Sequence, residues 1–196
     1  FLLKNITNAY GGITNITYRQ STLSNNTNSV GFNLWLVNST SLDNSLLGSF
    51  AAGSKYSYFY DGGKYDYVTQ EFRVFARVNE TFPDNSIVAH FFHQDNVLKG
   101  REFATSVYDA SGKQFTDTFN TFTNSNDNMI FLTRTSTQIY DGESTPLVNN
   151  ITFEYDFYGN VKKINNTGDV SVTGDEKSES FEFVYNTANY LVNKPT

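Results

Sequence analysis

Two histidines, His90 and His93, are the only ones in the chain. They stand in the run His90-Phe91-Phe92-His93-Gln94-Asp95, and a pair at this spacing invites a metal reading. On a strand, residues three apart point to opposite faces, so the two rings would share a ligand only on a helix. The surrounding residues alternate in the manner of a strand. Half-buried strand histidines are therefore expected, and no metal centre. Carboxylates are the next candidates. Glycoside hydrolysis needs two of them facing one sugar. Glu71, Asp66, Glu154 and Asp156 lie at strand positions, where Tyr residues and Trp35 could stack on a sugar ring. The competing reading makes the carboxylates solvated strand residues and the aromatics core. Asn124-Ser125-Asn126-Asp127-Asn128 and Thr173-Gly174-Asp175-Glu176 approach a calcium loop but lack its charge density, so plain turns are expected.

Other chemistry finds less. With no cysteine there is no thiol nucleophile, and no Ser sits in a strand–turn–helix elbow. No Gly-rich loop opens a helix to cradle a phosphate. A buried Lys–Asn–carboxylate triad could form an amide cross-link, but sequence alone does not place one. The expectation is a chain that is not an enzyme and holds no cofactor.

Composition sets the compartment. Charged residues make up 17% of the 196 residues, against 16% aromatics, and the net charge is −6. The polarity comes from Asn, Thr and Ser, which suits strands with one buried and one uncharged polar face. Lys and Arg are scattered singly, which argues against a nucleic-acid partner. No apolar run is long enough to span a membrane. The sequence does not begin with Met, which is read as the removal of a targeting segment. Triplets for N-linked glycans begin at Asn5, Asn15, Asn25, Asn38, Asn79, Asn150 and Asn165.

The elements that must position these residues are strands. Val30, Phe32, Leu34 and Leu36 share one parity. Lys55 to Tyr60 meets Asp61-Gly62-Gly63-Lys64, and alternation resumes from Tyr65 to Val78, the strongest hairpin signal in the chain. Ser86–Phe92 reads as a strand. Phe103–Tyr108 and Gln114–Phe122 flank a turn at Ser111-Gly112. Ile151 to Phe157 and Phe181 to Tyr185 alternate again. Leu42 to Ala52 is the one stretch with helical spacing. No internal repeat is seen. Many short strands with regular turns predict a β-sandwich of Greek-key type.

The N-terminus carries the last candidate site. Phe1, Leu2, Leu3, Ile6, Ala9 and Tyr10 form an apolar extended segment ending at Gly11-Gly12. Leu2, Ile6 and Tyr10 share one face and leave Asn5 to the other. Such a strand completes either a neighbour's sheet or its own. Three or four knobs contribute about 5–12 kcal/mol, against about 4–15 kcal/mol for association. In the other reading Gly11-Gly12 is an ordinary turn into Ile13.

The apolar N-terminus, the absent cysteine, the Asn-x-Ser/Thr triplets and the Tyr/Asn/Thr-rich strands together resemble the thread pilins of Sulfolobus-type thermoacidophilic archaea. The resemblance covers the whole chain and rests on profile rather than on a sharp motif; Lys4 departs from it by breaking the apolar face. It implies an Ig-like, pilin-like β-sandwich with an extended N-terminal donor strand, similar in architecture to type I pilins. Residues 1–12 would be donor strand and hinge, with Gly11 and Gly12 as the hinge, and 13–196 a single β-sandwich domain. The implied function is structural: a glycosylated extracellular filament at the cell surface, its identical subunits joined head to tail for adhesion or biofilm. The alternative is a secreted, monomeric, lectin-like sandwich, and after it a glycoside hydrolase.

Overall fold

The structure is a computed structural model that describes residues 1–28, 30–43, 54–125 and 129–196. The helical spacing at Leu42–Ala52 falls mostly outside the described residues, as does part of the Asn124–Asn128 loop. Among the described residues there is no α-helix, only short 3-10 turns. The chain is nearly all β and antiparallel, as the alternation predicts. It divides into two compact units, Phe1–Phe115 and Thr116–Thr196.

In the first unit the strands are β1 (Asn5–Thr7), β2 (Ile13–Gln20), β3 (Trp35–Asp43), β4 (Lys55–Asp61), β5 (Tyr65–Asp66), β6 (Glu71–Phe72), β7 (Arg77–Thr81), β8 (Ile87–Phe92) and β9 (Glu102–Tyr108). Their order in the sheet is β1-β2-β3-β4-β7-β8-β9, with β5 and β6 paired apart from it. The second unit holds β10 (Gln114–Asn124, which begins just before the division), β11 (Ile130–Ile139), β12 (Leu147–Tyr155), β13 (Val161–Asp169), β14 (Lys177–Ser180), β15 (Phe183–Asn186) and β16 (Leu191–Pro195). Its order is β10-β11-β12-β13-β14, with β15 and β16 as a separate pair. Sheet neighbours follow chain order within each unit. The connections are therefore those of a meander, where the sequence predicts a Greek key.

One turn explains much of this meander. At Asn8–Gly12, Asp109–Lys113 and Asp156–Asn160 the first residue's N–H donates to the fifth carbonyl at 2.9, 2.9 and 3.0 Å. The fourth N–H returns to the first carbonyl in each. The first side chain's Oδ1 accepts from the third and fifth N–H groups at 2.8–2.9 Å. The fourth residue is a glycine at φ 84, 84 and 87° (Gly11, Gly112, Gly159). A short polar acceptor with a glycine three residues later thus closes a hairpin with every inward group satisfied. Phe82–Ser86 has the same backbone bonds, with Asn85 at φ 66° in the glycine's place.

The core is thin. Among the described residues the buried apolar side chains are Val30, Phe75, Ala89 and Ala104. Most strand residues are half-buried.

Two sequence expectations change here. The segment 61–64 does not turn β4 directly into its partner. β4 pairs with β7, Asp61 opposite Arg77, and residues 62–76 leave the sheet between them. The N-terminal segment is the first strand of its own sheet. Asn5, Ile6 and Thr7 pair with Asn15, Thr14 and Ile13, and the Ile16 N–H donates to the Lys4 carbonyl at 2.7 Å. Gly11 and Gly12 close the Asn8–Gly12 turn, where a Cβ on Gly12 would meet Asn8 Nδ2 at 2.8 Å.

Candidate functional site

The 62–76 insert of the first unit is where the chain concentrates polar chemistry. It starts from a local device: Asp66 Oδ1 accepts from the N–H groups of Val68 at 2.9 Å and Thr69 at 3.2 Å. That turn brings β5 and β6 together, Tyr65 opposite Phe72 and Asp66 opposite Glu71. Aromatic rings then anchor the insert. Phe32 meets Tyr65 at 5.5 Å and Phe72 at 6.0 Å, and Phe75 meets Phe72 at 5.5 Å and Tyr60 at 5.2 Å. Pairs at these distances are worth about 0.5–1.5 kcal/mol beyond their buried area.

Arg73 is the centre of the site and is only 2% exposed. Its Nη2 donates to Asp66 Oδ2 at 3.0 Å, Thr69 Oγ1 at 2.9 Å and Asn96 Oδ1 at 2.6 Å. Its Nη1 lies 3.4 Å from the Asp95 carbonyl and 3.3 Å from Glu71 Oε2. Lys99 Nζ donates to the same Glu71 oxygen at 2.6 Å. The guanidinium therefore ties the insert to the 93–101 turn. A buried cation is tolerated only when paired and hydrogen-bonded in this way. The Thr69 N–H, partly offset by burial and helped by Val68 and Arg73, holds Asp66 below the usual carboxylate range. The Lys99 ammonium does the same for Glu71, with Arg73 adding to it.

Val74, next to Arg73, has φ 60°, as Gln70 has φ 55°. A β-branched residue there is strained. Its carbonyl is held by Gln94 Nε2 at 2.9 Å and by the Lys64 N–H at 3.2 Å. The same Gln94 nitrogen reaches the Gly62 carbonyl at 2.7 Å. Beside these residues lies an apolar cleft of about 190 Å³ lined by Val74, Phe75, Val78, Phe92 and Gly100.

The other candidates are dispersed. His90 Nδ1 lies 2.6 Å from Glu102 Oε1, which also accepts from Thr105 Oγ1 at 2.6 Å. His93 sits 3.5 Å from Asp95 and packs its ring 4.8 Å from that of Phe103. Among the described residues no three His, Cys, Asp or Glu side chains are grouped to hold a metal. Asp66 and Glu71 serve Arg73, Glu154 stands opposite Lys163 on β13, and Asp156 closes its turn and accepts from Tyr185 Oη at 2.8 Å. Asp169 and Asp175 bind their own turn, through Ser171 and the Asp169 N–H. Asn5, Asn25 and Asn38 are exposed, whereas Asn15, Asn79, Asn150 and Asn165 are half-buried. Asn79 and Asn150 accept from Arg77 and Arg134, and Asn165 from Ser178. Phe1, Leu2, Leu3, Ile6 and Tyr10 are exposed along and beside β1, and Ala9 is exposed in the adjoining turn. Sequence reasoning misses Arg73. Its partners lie as far as 23 positions away, and a lone Arg among aromatics carries no motif.

The family model of the insecticide toxin TcdB middle/N-terminal region matches residues 1–106. The chain belongs to this family. No curated protein matches it. Among solved structures, this TcdB-type chain is similar to a mutant Tc holotoxin pore of Photorhabdus luminescens, with TM-score 0.73 and 13% identity over 100% of this chain and 14% of that one. It is also similar to TcdB2-TccC3, with TM-score 0.72 and 12% identity over 100% of this chain and 15% of that one. TcdB2-TccC3-Cdc42 is a third, with TM-score 0.68 and 12% identity over the same shares. At these identities the likeness shows the fold. The chain spans about a seventh of the length of these solved chains.

Membership in the TcdB family overturns the thread-pilin reading, and with it the archaeal filament, the head-to-tail polymer of identical subunits and the lectin-like monomer. The physical reason is visible in β1. Its inner backbone groups are already bonded to β2 of the same chain, so the segment 1–12 is not a free donor with a hinge. An extracellular setting agrees with the toxin family, whereas a cell-surface filament does not.

Proposed function

We propose that this TcdB-type chain is a structural, non-catalytic β-module of an insecticidal Tc toxin, working outside the producing cell as part of a longer toxin component that assembles with a TccC-type partner. The family match over residues 1–106 carries the reading. The thin core supports it: a sheet whose strands are mostly half-buried gains from being covered by other parts of an assembly. The four candidate carboxylates also support it, because Asp66 and Glu71 pair with Arg73, Asp156 binds its own turn and Glu154 faces Lys163. The module needs no bound cofactor on this reading, and its exposed triplets at Asn5, Asn25 and Asn38 are the ones open to a glycan.

The test uses the full toxin component. Removing residues 1–196 should abolish co-purification with the TccC-type partner and abolish toxicity. Glu154→Gln, at an exposed position of β12, should leave toxicity within about twofold, since surface changes of this kind move stability little. A single carboxylate substitution that removes toxicity while assembly and thermal midpoint are unchanged would establish catalysis and end the structural reading.

A further inference from the structure

We infer that the Arg73 cluster is an acid-releasable clasp: with Asp66 and Glu71 ionised it holds the 62–76 insert on the 93–101 turn, and with both protonated the insert lifts and opens the apolar cleft beneath. The inference concerns a conformational device in this chain and does not depend on which partner the toxin component binds.

The geometry carries it. A guanidinium is a cation in proteins, and that of Arg73 is 2% exposed. Among the described residues its ion-pair partners are Asp66 at 3.0 Å and Glu71 at 3.3 Å. Its remaining acceptors, Thr69, Asn96 and the Asp95 carbonyl, are neutral. Removing both negative charges leaves a buried cation with neutral partners, and such a state is strongly disfavoured. Water then becomes the better solvent, and reaching it requires the insert to move.

The charged groups on the facing turn reinforce this. Lys99 lies against the same Glu71 oxygen as Arg73, so protonation of Glu71 leaves a like charge beside Arg73. The Asp95 carboxylate does not compensate, because it is turned to His93 and to the N–H groups of Val97 and Leu98. Asp66 and Glu71 are both held below the usual carboxylate range. Depressed folded-state values mean that the clasp is fully closed above the ordinary range. It is lost as pH falls through the depressed values.

Release has a defined consequence. Val74 directly follows Arg73 and Gly100 directly follows Lys99, and both line the cleft. Val74 is held at φ 60°, so a freed insert relaxes away from its strained position rather than back into it. Phe75, Val78 and Phe92 then face solvent.

Hydrogen exchange of the intact toxin component tests the clasp. At neutral pH the double variant Asp66→Asn, Glu71→Gln should exchange its 62–76 amides at least about tenfold faster than wild type, while β12–β13 is unchanged. Arg73→Met fills the site without charge, and its insert should show no acid-dependent gain in exchange. In wild type, acid pulses should expose 62–76 before β12–β13. A double variant whose insert exchanges at the wild-type rate overturns the inference. So does an Arg73→Met variant with the wild-type pH profile, or a wild-type insert that loses protection only together with β12–β13.

Discussion

Gly112 and Gly159 occupy the same place in two copies of one turn, at φ 84 and 87°. They differ in what surrounds them. A Cβ on Gly112 meets nothing within 4 Å, whereas one on Gly159 comes to 3.4 Å from Phe131 Cε1. A left-handed conformation costs an L-residue about 1–2 kcal/mol. Gly112→Ala should therefore lower unfolding free energy by about that amount, read from urea midpoints. Gly159→Ala should cost a similar amount, because its Cβ reaches Phe131 at the near limit of ordinary van der Waals contact. Asn at position 112 should be tolerated better than Ala, since Asn visits this region more readily and Asn85 already does so in the related turn. Equal losses for Ala and Asn at position 112 would mean that backbone strain does not govern the turn.

The turns also impose a pH dependence on the hairpins. Asp109 is held low by the Ser111 hydroxyl first, then by the N–H of Lys113, against a smaller opposing effect of burial. Asp84 is held low by Ser86 in the same way. A depressed folded-state value contributes stability above the ordinary carboxylate range, and that stability disappears as pH falls through the depressed value. Asp109→Asn should flatten the acid limb of a stability–pH profile while changing little at the lowest pH, where the wild-type carboxyl is protonated too. An unchanged acid limb would assign the dependence to other groups. Strands and turns are largely legible in the sequence. Period-two alternation locates β8 and β9 to within a residue at each boundary, and Ser111-Gly112 marks the turn after β9. The alternation of Val30–Leu36 points to a strand several residues too early, since β3 starts at Trp35. The hairpin expected between 55–60 and the residues from Tyr65 onward does not form, although Asp61-Gly62-Gly63-Lys64 has the composition of a tight turn. The rings of Tyr65, Phe72 and Phe75 and the charge of Arg73 draw the chain into an insert instead. The apolar residues at the N-terminus fit a donor strand and an edge strand equally well. Only the Asn8 turn, whose decisive positions are an amide and a glycine, distinguishes them.

Across the molecule, stability is carried by hairpins and half-buried faces rather than by a dense interior. The chain alone should bind a hydrophobic dye such as ANS more strongly than the same residues within the full toxin component, because large apolar side chains including Phe157, Tyr190 and Val68 stand 77%, 90% and 94% exposed. Equal dye binding per molecule would show that those faces stay open in the assembled toxin. Dialysis against a chelator should leave the thermal midpoint unchanged if no metal supports the fold, and a fall would point to a bound ion. The recurring turn has one further implication. Its geometry is held by its first, fourth and fifth positions, while the second and third are Ala9-Tyr10, Ala110-Ser111 and Phe157-Tyr158. The exposed second position contributes no side-chain bond to the turn, so a fluorescent residue replacing Ala110 should report on the chain without disturbing the strands that carry it, provided Ser111, whose hydroxyl binds Asp109, is kept.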